Sequence, residues 1–330
     1  MKFGGQHKVL PLIFVLLKIV QYVQGLDSRR LWLWYVSRPI KFARRLVLTC
    51  FCEPAGSIGT SIASGILDSL AKSDAGGRVI ATVESEKSKQ RVEGAFQKHS
   101  QRLSVRQASE NLDTVREADV AVLAVKPFKR HEFLGIKDIR QALRGKLLIS
   151  IMAGIPTTLL SGVINEGETS NPCQIIRAMP NMAARIKQAM TLLTSTPETV
   201  TPENLEIASW VFSQIGDYKY IPEGRFDIAG PIVGCSGSLV ALAIDGLLDA
   251  AVAEGLKRKD AETMAVRSAI GMLNLILEGT HPSLLREQIA SPGGASVRAL
   301  LQLESHGVRY AFSDALMKAA DRMRNMSNVM

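Results

Sequence analysis

Short apolar runs alternate with helical periods between Leu46 and about residue 223, and this alternation is the strongest constraint on the fold. The apolar runs lie at 46–52, 78–83, 103–106, 119–125, 146–152, 174–179, 189–194 and 218–222. Helical periods lie near 58–72, 86–98, 111–118, 130–143, 157–164 and 202–215. Strands that alternate with helices are typical of a doubly wound sheet, so we predict an α/β Rossmann-type domain over residues 46–223.

The pattern changes after about Gly224, where long helical periods follow one another with few strand signals. They lie near 228–256, 259–279, 282–290, 294–305 and 307–325. We therefore predict an all-α domain over residues 224–330. Its apolar positions are more typical of core or dimer packing than of a cofactor pocket, as at Leu239, Leu242, Leu247 and Leu248.

Composition excludes several classes of protein. The 330 residues are 46% hydrophobic, which is enough for two buried cores. The net charge of +9 is concentrated in residues 1–50, where nine Lys or Arg face one acid, Asp27; the remainder carries only +1. We therefore expect no nucleic-acid partner. The four cysteines show no CxxC spacing and the histidines are scattered singly, so we expect no metal site and no disulfide framework.

Residues 1–45 differ from the rest and are interpreted as a leader of doubtful structure. The apolar run at 9–17 is too short to cross a bilayer, so we expect no stable membrane span. The Arg-rich, acid-poor stretch at 29–45 is similar to a mitochondrial presequence. We predict a cytoplasmic location, and a mitochondrial one stays open if the leader is genuine.

Residues 291–296 read SPGGAS and open directly into an apolar helical period. Glycines at 293 and 294 let backbone N–H groups face a ligand, and the helix N-terminus adds its dipole. A small carboxylate fits such a site. Ser296 adds a hydroxyl about one residue beyond it. The alternative interpretation is a Gly-rich turn and helix cap without a ligand.

This stretch resembles the signature of the pyrroline-5-carboxylate reductase family. The resemblance runs from about Leu46 to Met326 and includes AVLAVKP (121–127), ISIMAGI (149–155), IIRAMPN (175–181), GLLDAAVAEGLKR (246–258) and LESHGVR (303–309). Fungal members are the most similar. The resemblance implies hydride transfer from NAD(P)H to the imine of 1-pyrroline-5-carboxylate, giving L-proline.

The resemblance also implies a set of site residues. Ser296 is the expected catalytic residue, and it is expected to bind substrate together with Gly293, Gly294, Ala295 and Glu223. The expected cofactor-binding residues beyond the first strand–helix turn are Ser85, Asn111, Ala124, Val125, Lys126, Pro127, Ala153 and Gln288. For Asn111 an ordinary helix N-cap is an equal alternative.

The turn after the first predicted strand reads CEPAGSIG (52–59) and should hold the cofactor's pyrophosphate. Gly56, Ser57, Ile58 and Gly59 match the second half of G-x-G-x-x-G. Pro54 stands where the first glycine belongs, and it lacks an N–H and fixes φ. This departure from the pattern puts cofactor affinity in question.

The residues after the second predicted strand should read the adenosine ribose. Glu84 favours NAD, whereas Ser85, Lys87 and Lys89 favour NADP. From the family resemblance we predict NADP(H) as the preferred cofactor, with NAD(H) possible.

Family resemblance further implies a homodimer or a higher homo-oligomer formed through the helical domain, with the substrate site completed between subunits. Two other functions stay open. One is a related imine or 3-hydroxy-acid dehydrogenase, which would need a catalytic Lys or Asp on the domain-joining helix. The other is a non-catalytic paralogue that binds cofactor poorly because of Pro54.

Overall fold

The computed structural model describes residues 45–49, 58–72, 77–168, 170–194 and 198–329. The predicted leader, Pro54, Gly56 and Ser57 lie outside these residues. An eight-stranded sheet occupies the first part of the described chain, and long helices occupy the second.

The strands are β1 (Arg45–Thr49), β2 (Arg78–Val83), β3 (Leu103–Gln107), β4 (Val120–Leu123), β5 (Leu147–Ser150), β6 (Gln174–Pro180), β7 (Ala189–Thr194) and β8 (Gly216–Ile221). Their order is β3-β2-β1-β4-β5-β6-β7-β8. The first six strands are parallel, β7 is antiparallel to β6, and β8 is parallel to β7. The first six strands thus have a doubly wound order with its topological switch between β1 and β4.

Continuous apolar runs place the central strands inside the molecule. All four residues of β4 and all four of β5 are buried, as expected for parallel strands covered on both faces. The reversal before β7 follows a 3₁₀ turn at Met182–Ile186, and Lys187 adopts a left-handed φ of 58° there.

Seven helices flank the sheet in the described part of the chain. They are α1 (Ile58–Lys72), α2 (Glu86–Ala95), α3 (Asn111–Glu117), α4 (Arg130–Leu134), α5 (Ile139–Leu143), α6 (Thr157–Ile164) and α7 (Pro202–Ser213). One apolar cluster joins α1 and α7 to the sheet, and a second joins α4, α5 and α6 to it. The helices therefore form two layers, one for each buried cluster.

Five helices form the second part: α8 (Phe226–Ala253), α9 (Arg258–Leu277), α10 (Pro282–Ile289), α11 (Ala295–Ser305) and α12 (Val308–Val329). The longest, α8, packs on α12, α9 and the strands β6 and β7. Gly230 leaves room for α12 against α8, because a Cβ there would lie 2.7 Å from the end of the Met323 side chain, which would have to shift.

The predicted fold class is confirmed, with one local correction. Residues 130–143 were expected to form a single helix, but they form α4 and α5. The first ends at Gly135, and Asp138 adopts a left-handed φ of 65° before the second begins. The break lets both Phe133 and Ile139 point into the same apolar cluster, where each is fully buried.

Packing of the leucines of α8 differs from one position to the next. Leu248 is buried, but Leu242 is 69% exposed and Leu247 is also exposed. A core role within one chain is therefore wrong for Leu242 and Leu247. Exposed apolar side chains also line α9, including Ile270, Leu273 and Leu277. So large an apolar surface is typical of an interface.

Candidate functional site

The carboxyl ends of β1, β4 and β5 meet at one edge of the sheet, where ligands bind in folds of this class. β4 ends at Leu123, and Ala124 and Val125 continue from it into the loop. Val125 is buried, whereas Lys126 is exposed and places its ammonium group 5.9 Å from the centre of the Phe128 ring. Pro127 then begins a 3₁₀ turn. Backbone and apolar groups therefore dominate this part of the edge.

Ala153 lies in the loop after β5 and is half-buried. The next residue, Gly154, has a φ of 72°, and a Cβ there would lie 2.7 Å from the Met326 Cβ. The loop therefore passes so close to helix α12 that only glycine fits, which fixes the position of Ala153 at the sheet edge.

The described part of the helix after β1 begins at Ile58, which is half-buried, and the next residue, Gly59, is buried. Further along α1, a Cβ on Gly65 would lie 2.6 Å from the Gln214 carbonyl oxygen, so α1 packs tightly beside the end of α7. Because α1 follows the carboxyl end of β1 in the chain, its N-terminal dipole lies toward that edge of the sheet, which suits a pyrophosphate.

β2 ends at Val83, and this determines which residues follow the strand toward the adenosine end of the predicted cofactor site. Glu84 follows the strand directly, and its carboxylate forms an ion pair with Lys129. Ser85 is the N-cap of α2, where its hydroxyl accepts a hydrogen bond from the Ser88 N–H at 3.2 Å. The Ser85 hydroxyl therefore has a local structural partner in addition to its predicted cofactor contact.

Asn111 is 1% exposed, and neither its amide oxygen nor its amide nitrogen has a hydrogen-bond partner among the described residues. The N-cap interpretation is wrong, since Asn111 already has helical φ and ψ and Glu110 precedes it as the cap. Buried amides without partners are rare in proteins and call for an explanation. An amide that is held ready for a polar ligand fits this position, four residues beyond the carboxyl end of β3. The described residues thus fit a bound dinucleotide.

Glu223 lies in the loop between β8 and α8, where two buried groups hold its carboxylate. Arg177 of β6 donates to Oε1 at 2.9 Å, and the Thr157 hydroxyl donates to Oε2 at 3.0 Å. The Arg177 guanidinium also donates to Asp227 at 3.2 Å and stacks 4.2 Å from the centre of the Phe226 ring. The carboxylate of Glu223 is therefore fixed by Arg177 in the sheet and by Thr157 at the start of α6.

Arg177 and Thr157 were not among the predicted site residues. The Arg177 side chain is only 3% exposed, and its partners are 46 and 50 residues away in the chain. An arginine inside the apolar strand QIIRAMP is a signal that could have pointed to it, because a buried arginine needs anionic partners.

The SPGGAS segment forms the expected turn before a helix. Gly293 has a φ of 72°, and the Gly294 N–H donates to the Ser291 carbonyl oxygen at 3.0 Å. A Cβ on Gly294 would lie 2.5 Å from the Ser291 hydroxyl oxygen. Gly294 is the N-cap of α11, and no side chain caps this helix. Its first N–H groups are thus available to an anion.

Ala295 and Ser296 are the first two residues of α11, and Ser296 is half-buried. Gln288 lies exposed near the end of α10. Among the described residues, no hydrogen bond or ion pair connects 282–305 to the sheet; the ion pairs of this region join Glu304 to Arg286 and to Arg309. The predicted substrate turn therefore lies in the helical part of the chain, whereas most of the predicted cofactor residues lie at the edge of the sheet. Gln288, a predicted cofactor residue, lies in the helix that precedes the turn.

Among the described residues, no three His, Cys, Asp or Glu side chains lie close enough together to hold a metal ion.

Known proteins identify the family. Residues 223–326 match the family model described as pyrroline-5-carboxylate reductase dimerisation, and residues 55–154 match the one described as NADP oxidoreductase, coenzyme F420-dependent. A pyrroline-5-carboxylate reductase of Lophium arboricola is 33% identical over 292 residues, which cover 82% of this chain and 91% of the relative. The chain belongs to the pyrroline-5-carboxylate reductase family. A Neurospora crassa member is likewise 33% identical, over 305 residues, with 82% of this chain and 91% of the relative covered.

Solved structures of this reductase family share the fold. The Plasmodium falciparum pyrroline carboxylate reductase with NADP bound has a TM-score of 0.70 and 24% identity, and the match covers 87% of this chain and 98% of that one. The Coxiella burnetii enzyme gives the same TM-score and identity, with 86% and 98% covered. The α/β domain followed by helices is thus the architecture of the family.

Proposed function

We propose that this chain is a pyrroline-5-carboxylate reductase, which transfers a hydride from NADPH, or from NADH, to the imine carbon of 1-pyrroline-5-carboxylate and gives L-proline, the last step of proline biosynthesis. The observation that carries the proposal is the uncapped helix N-terminus at Gly293 and Gly294, in a chain that matches reductases of this family over nine-tenths of their length. Such a terminus suits the substrate carboxylate.

The substrate end of the proposed site is the turn of Gly293, Gly294 and Ala295, with the Ser296 hydroxyl beside it. The Gly294 N–H already donates to Ser291, so the N–H groups at the start of α11 are the ones proposed to meet the ligand. The N–H groups bind the carboxylate and orient the ring. Ser296 forms a hydrogen bond to the ring nitrogen, which gains a proton while the adjacent carbon gains the hydride. A cyclic imine is basic enough to take its proton from water, so the described residues near the turn need not include a strong acid.

The cofactor end is the carboxyl edge of the sheet. Gly56, Ser57, Ile58 and Gly59 would hold the pyrophosphate at the start of α1, as the sequence pattern predicts. Asn111 would give its unpartnered amide to the ribose. When bound, the dihydronicotinamide supplies the hydride.

The remaining cofactor contacts are proposed along the same edge. Ala124, Val125, Lys126 and Pro127 would line the dinucleotide beyond β4, with Ala153 beside the nicotinamide. Ser85 would contribute at the end of β2.

Glu223 is proposed to face the substrate with its carboxylate held in one orientation. Its two oxygens accept hydrogen bonds from Arg177 and Thr157, so its rotamer is fixed before any ligand arrives. A fixed carboxylate can orient the ring nitrogen once that nitrogen is protonated.

We also propose that a second copy of the chain completes the site. The substrate turn and the cofactor edge share no hydrogen bond or ion pair among the described residues, and the helical part exposes many apolar side chains, Leu242 and Leu277 among them. The sheet ends at Ile221. This supports a division into a cofactor domain (46–223) and a helical dimerisation and substrate domain (224–330). A homodimer or a higher homo-oligomer would bring the two ends together.

One segment, Glu223–Ala253, is long and apolar enough to cross a membrane by length and composition, and only 11% of its apolar window is buried. It lies within the region that matches the dimerisation model, and α8 packs on α12, α9 and two strands. These contacts favour a partner chain over lipid as the cover for its apolar face. The proposed location is the cytoplasm, or mitochondria if the basic leader at residues 1–45 is genuine.

The experiment is a direct assay of the purified chain. The oxidation of NADPH and of NADH is followed at 340 nm with and without 1-pyrroline-5-carboxylate, and proline is quantified. We expect oxidation that depends on the imine and matches the proline formed. A non-catalytic paralogue would be folded and inactive, and a dehydrogenase of another class would turn over a 3-hydroxy acid instead.

A further inference from the structure

The ion pair between Glu84 and Lys129 joins two loops that flank the carboxyl end of β1. Glu84 follows β2, and Lys129 ends the 3₁₀ turn after β4. In the sheet, β1 lies between β2 and β4, so the pair spans the end of the strand whose following turn is expected to hold the pyrophosphate. It therefore lies on the adenosine side of the proposed cofactor site.

An acid directly after β2 is the group that selects a free ribose 2′-hydroxyl in dinucleotide-binding folds. The same acid repels a 2′-phosphate, which carries negative charge. Glu84 occupies this position, because β2 ends at Val83 and Ser85 begins the cap of α2. Taken alone, Glu84 would therefore direct the site toward NAD.

Lys129 offsets this effect of Glu84 on the cofactor preference. Its ammonium group pairs with the Glu84 carboxylate, and the Lys129 and Glu84 side chains are partly shielded, with exposures of 21% and 31%. The pair has no net charge, so the repulsion of a 2′-phosphate is cancelled. When a 2′-phosphate is present, the ammonium can also turn toward it.

We propose that Glu84 and Lys129 act together as the cofactor-specificity element of this chain, with Lys129 admitting the 2′-phosphate of NADP(H) and Glu84 retaining binding of NAD(H). The inference rests on the proposed function, since it concerns the cofactor of that same site. It predicts that the two residues shift the preference in opposite directions when each is neutralised.

Binding measurements test this without turnover. Isothermal titration calorimetry gives the Kd of 2′,5′-ADP, 5′-AMP, NADP⁺ and NAD⁺ for the wild-type chain, Lys129→Met, Glu84→Gln and the double variant. We expect Lys129→Met to weaken 2′,5′-ADP and NADP⁺ about 10-fold or more, while 5′-AMP and NAD⁺ stay within about 2-fold. Glu84→Gln should tighten 2′,5′-ADP and weaken NAD⁺. The double variant should fall between the two single variants.

The matched control is the exposed ion pair between Arg140 and Glu166, with Nη1 and Oε2 3.1 Å apart, away from this edge of the sheet. Arg140→Met and Glu166→Gln make the same charge changes and should leave all four Kd values unchanged. Equal NADP⁺ to NAD⁺ ratios in the wild type and in all Glu84 and Lys129 variants would overturn the inference alone. A folded wild-type chain that binds neither dinucleotide would overturn the proposed function, and this inference with it.

Discussion

The guanidinium of Arg177 donates to a carboxylate oxygen of Glu223 at 2.9 Å, and this contact ties the middle of β6 to the loop in front of α8. The partners lie on the sheet and at the entrance to the helical part. Because Arg177 also binds Asp227 and stacks on Phe226, it sets the position of the first turn of α8 relative to the sheet.

The first prediction concerns this contact. Arg177→Lys keeps the charge but loses the fork that reaches Glu223 and Asp227 together. We expect kcat/KM for the imine to fall about 10-fold or more, mainly through KM, with the Kd of NADP⁺ within about 2-fold of the wild type. Steady-state kinetics and calorimetry check this. Arg140→Lys, at an exposed site, should change neither value. An unchanged KM would reduce Arg177 to a packing residue.

The second prediction concerns Asn111, whose buried amide has no partner among the described residues. Asn111→Ala removes no hydrogen bond within the described protein, so the melting temperature should change little. The Kd of NADP⁺ should rise about 10-fold, which corresponds to one lost hydrogen bond to the ligand. A large fall in melting temperature with an unchanged Kd would show that the amide serves the fold instead.

A third prediction concerns Ser296 at the start of α11. Ser296→Ala should lower kcat about 10-fold or more, because one positioned hydrogen bond to the ring nitrogen is lost. Ser296→Thr keeps the hydroxyl and should be nearly neutral. Ser291, which precedes the turn, provides the control: Ser291→Ala should leave kcat close to the wild-type value. Equal kcat in the Ser296→Ala and wild-type proteins would leave Ser296 as a helix residue only.

The fourth prediction is a pH dependence of stability at Asp68. Lys187 donates to its carboxylate at 2.7 Å, and Lys98 and His99 lie 2.9 Å from its other oxygen. The hydrogen bond from Lys187, followed by those from Lys98 and His99, holds the pKa of this carboxyl far below its usual range, although partial burial opposes the shift.

Because the pKa of Asp68 is lower in the folded protein than in the unfolded chain, its ionised carboxylate stabilises the fold. This stabilisation is complete above the unfolded-state pKa of Asp, near 4, and decreases as the pH falls below that value. Asp68→Asn should therefore lower the melting temperature by about 3 °C or more at pH 7, and the difference should narrow toward pH 3. Asp113→Asn, at an exposed pair with Arg116, is the control and should have little effect at any pH. A difference that stays constant or widens toward acid pH would contradict this account.

The sequence was a good guide to the elements of this fold. Alternating and helical patterns predicted β2 at 78–83, α6 at 157–164 and β7 at 189–194 with the bounds that the structure has. Apolar periodicity reports burial, and burial fixes these elements. The break at Asp138 escaped prediction because a left-handed residue between two short helices leaves the apolar spacing almost unchanged.

The site was harder to predict from the sequence. The turn at Gly293 and Gly294 was predictable, since its conformation demands particular residue types in a row. The roles of Arg177 and Lys129 depend on partners that are 46 and 45 residues away in the chain, and periodicity carries no information on such pairs. Asn111 allowed two interpretations, and its helical φ and ψ, with Glu110 as the cap before it, exclude the N-cap role.

Hydride transfer to the imine carbon tests the central claim most directly. The purified chain is incubated with 1-pyrroline-5-carboxylate and NADPH deuterated at C4 of the nicotinamide on both faces, and the proline is analysed by mass spectrometry. We expect one deuterium per proline, located at C5, and an equal amount of NADP⁺. Absence of labelled proline from a folded sample, with NADPH and with equally labelled NADH, would contradict the assignment of this chain as a pyrroline-5-carboxylate reductase.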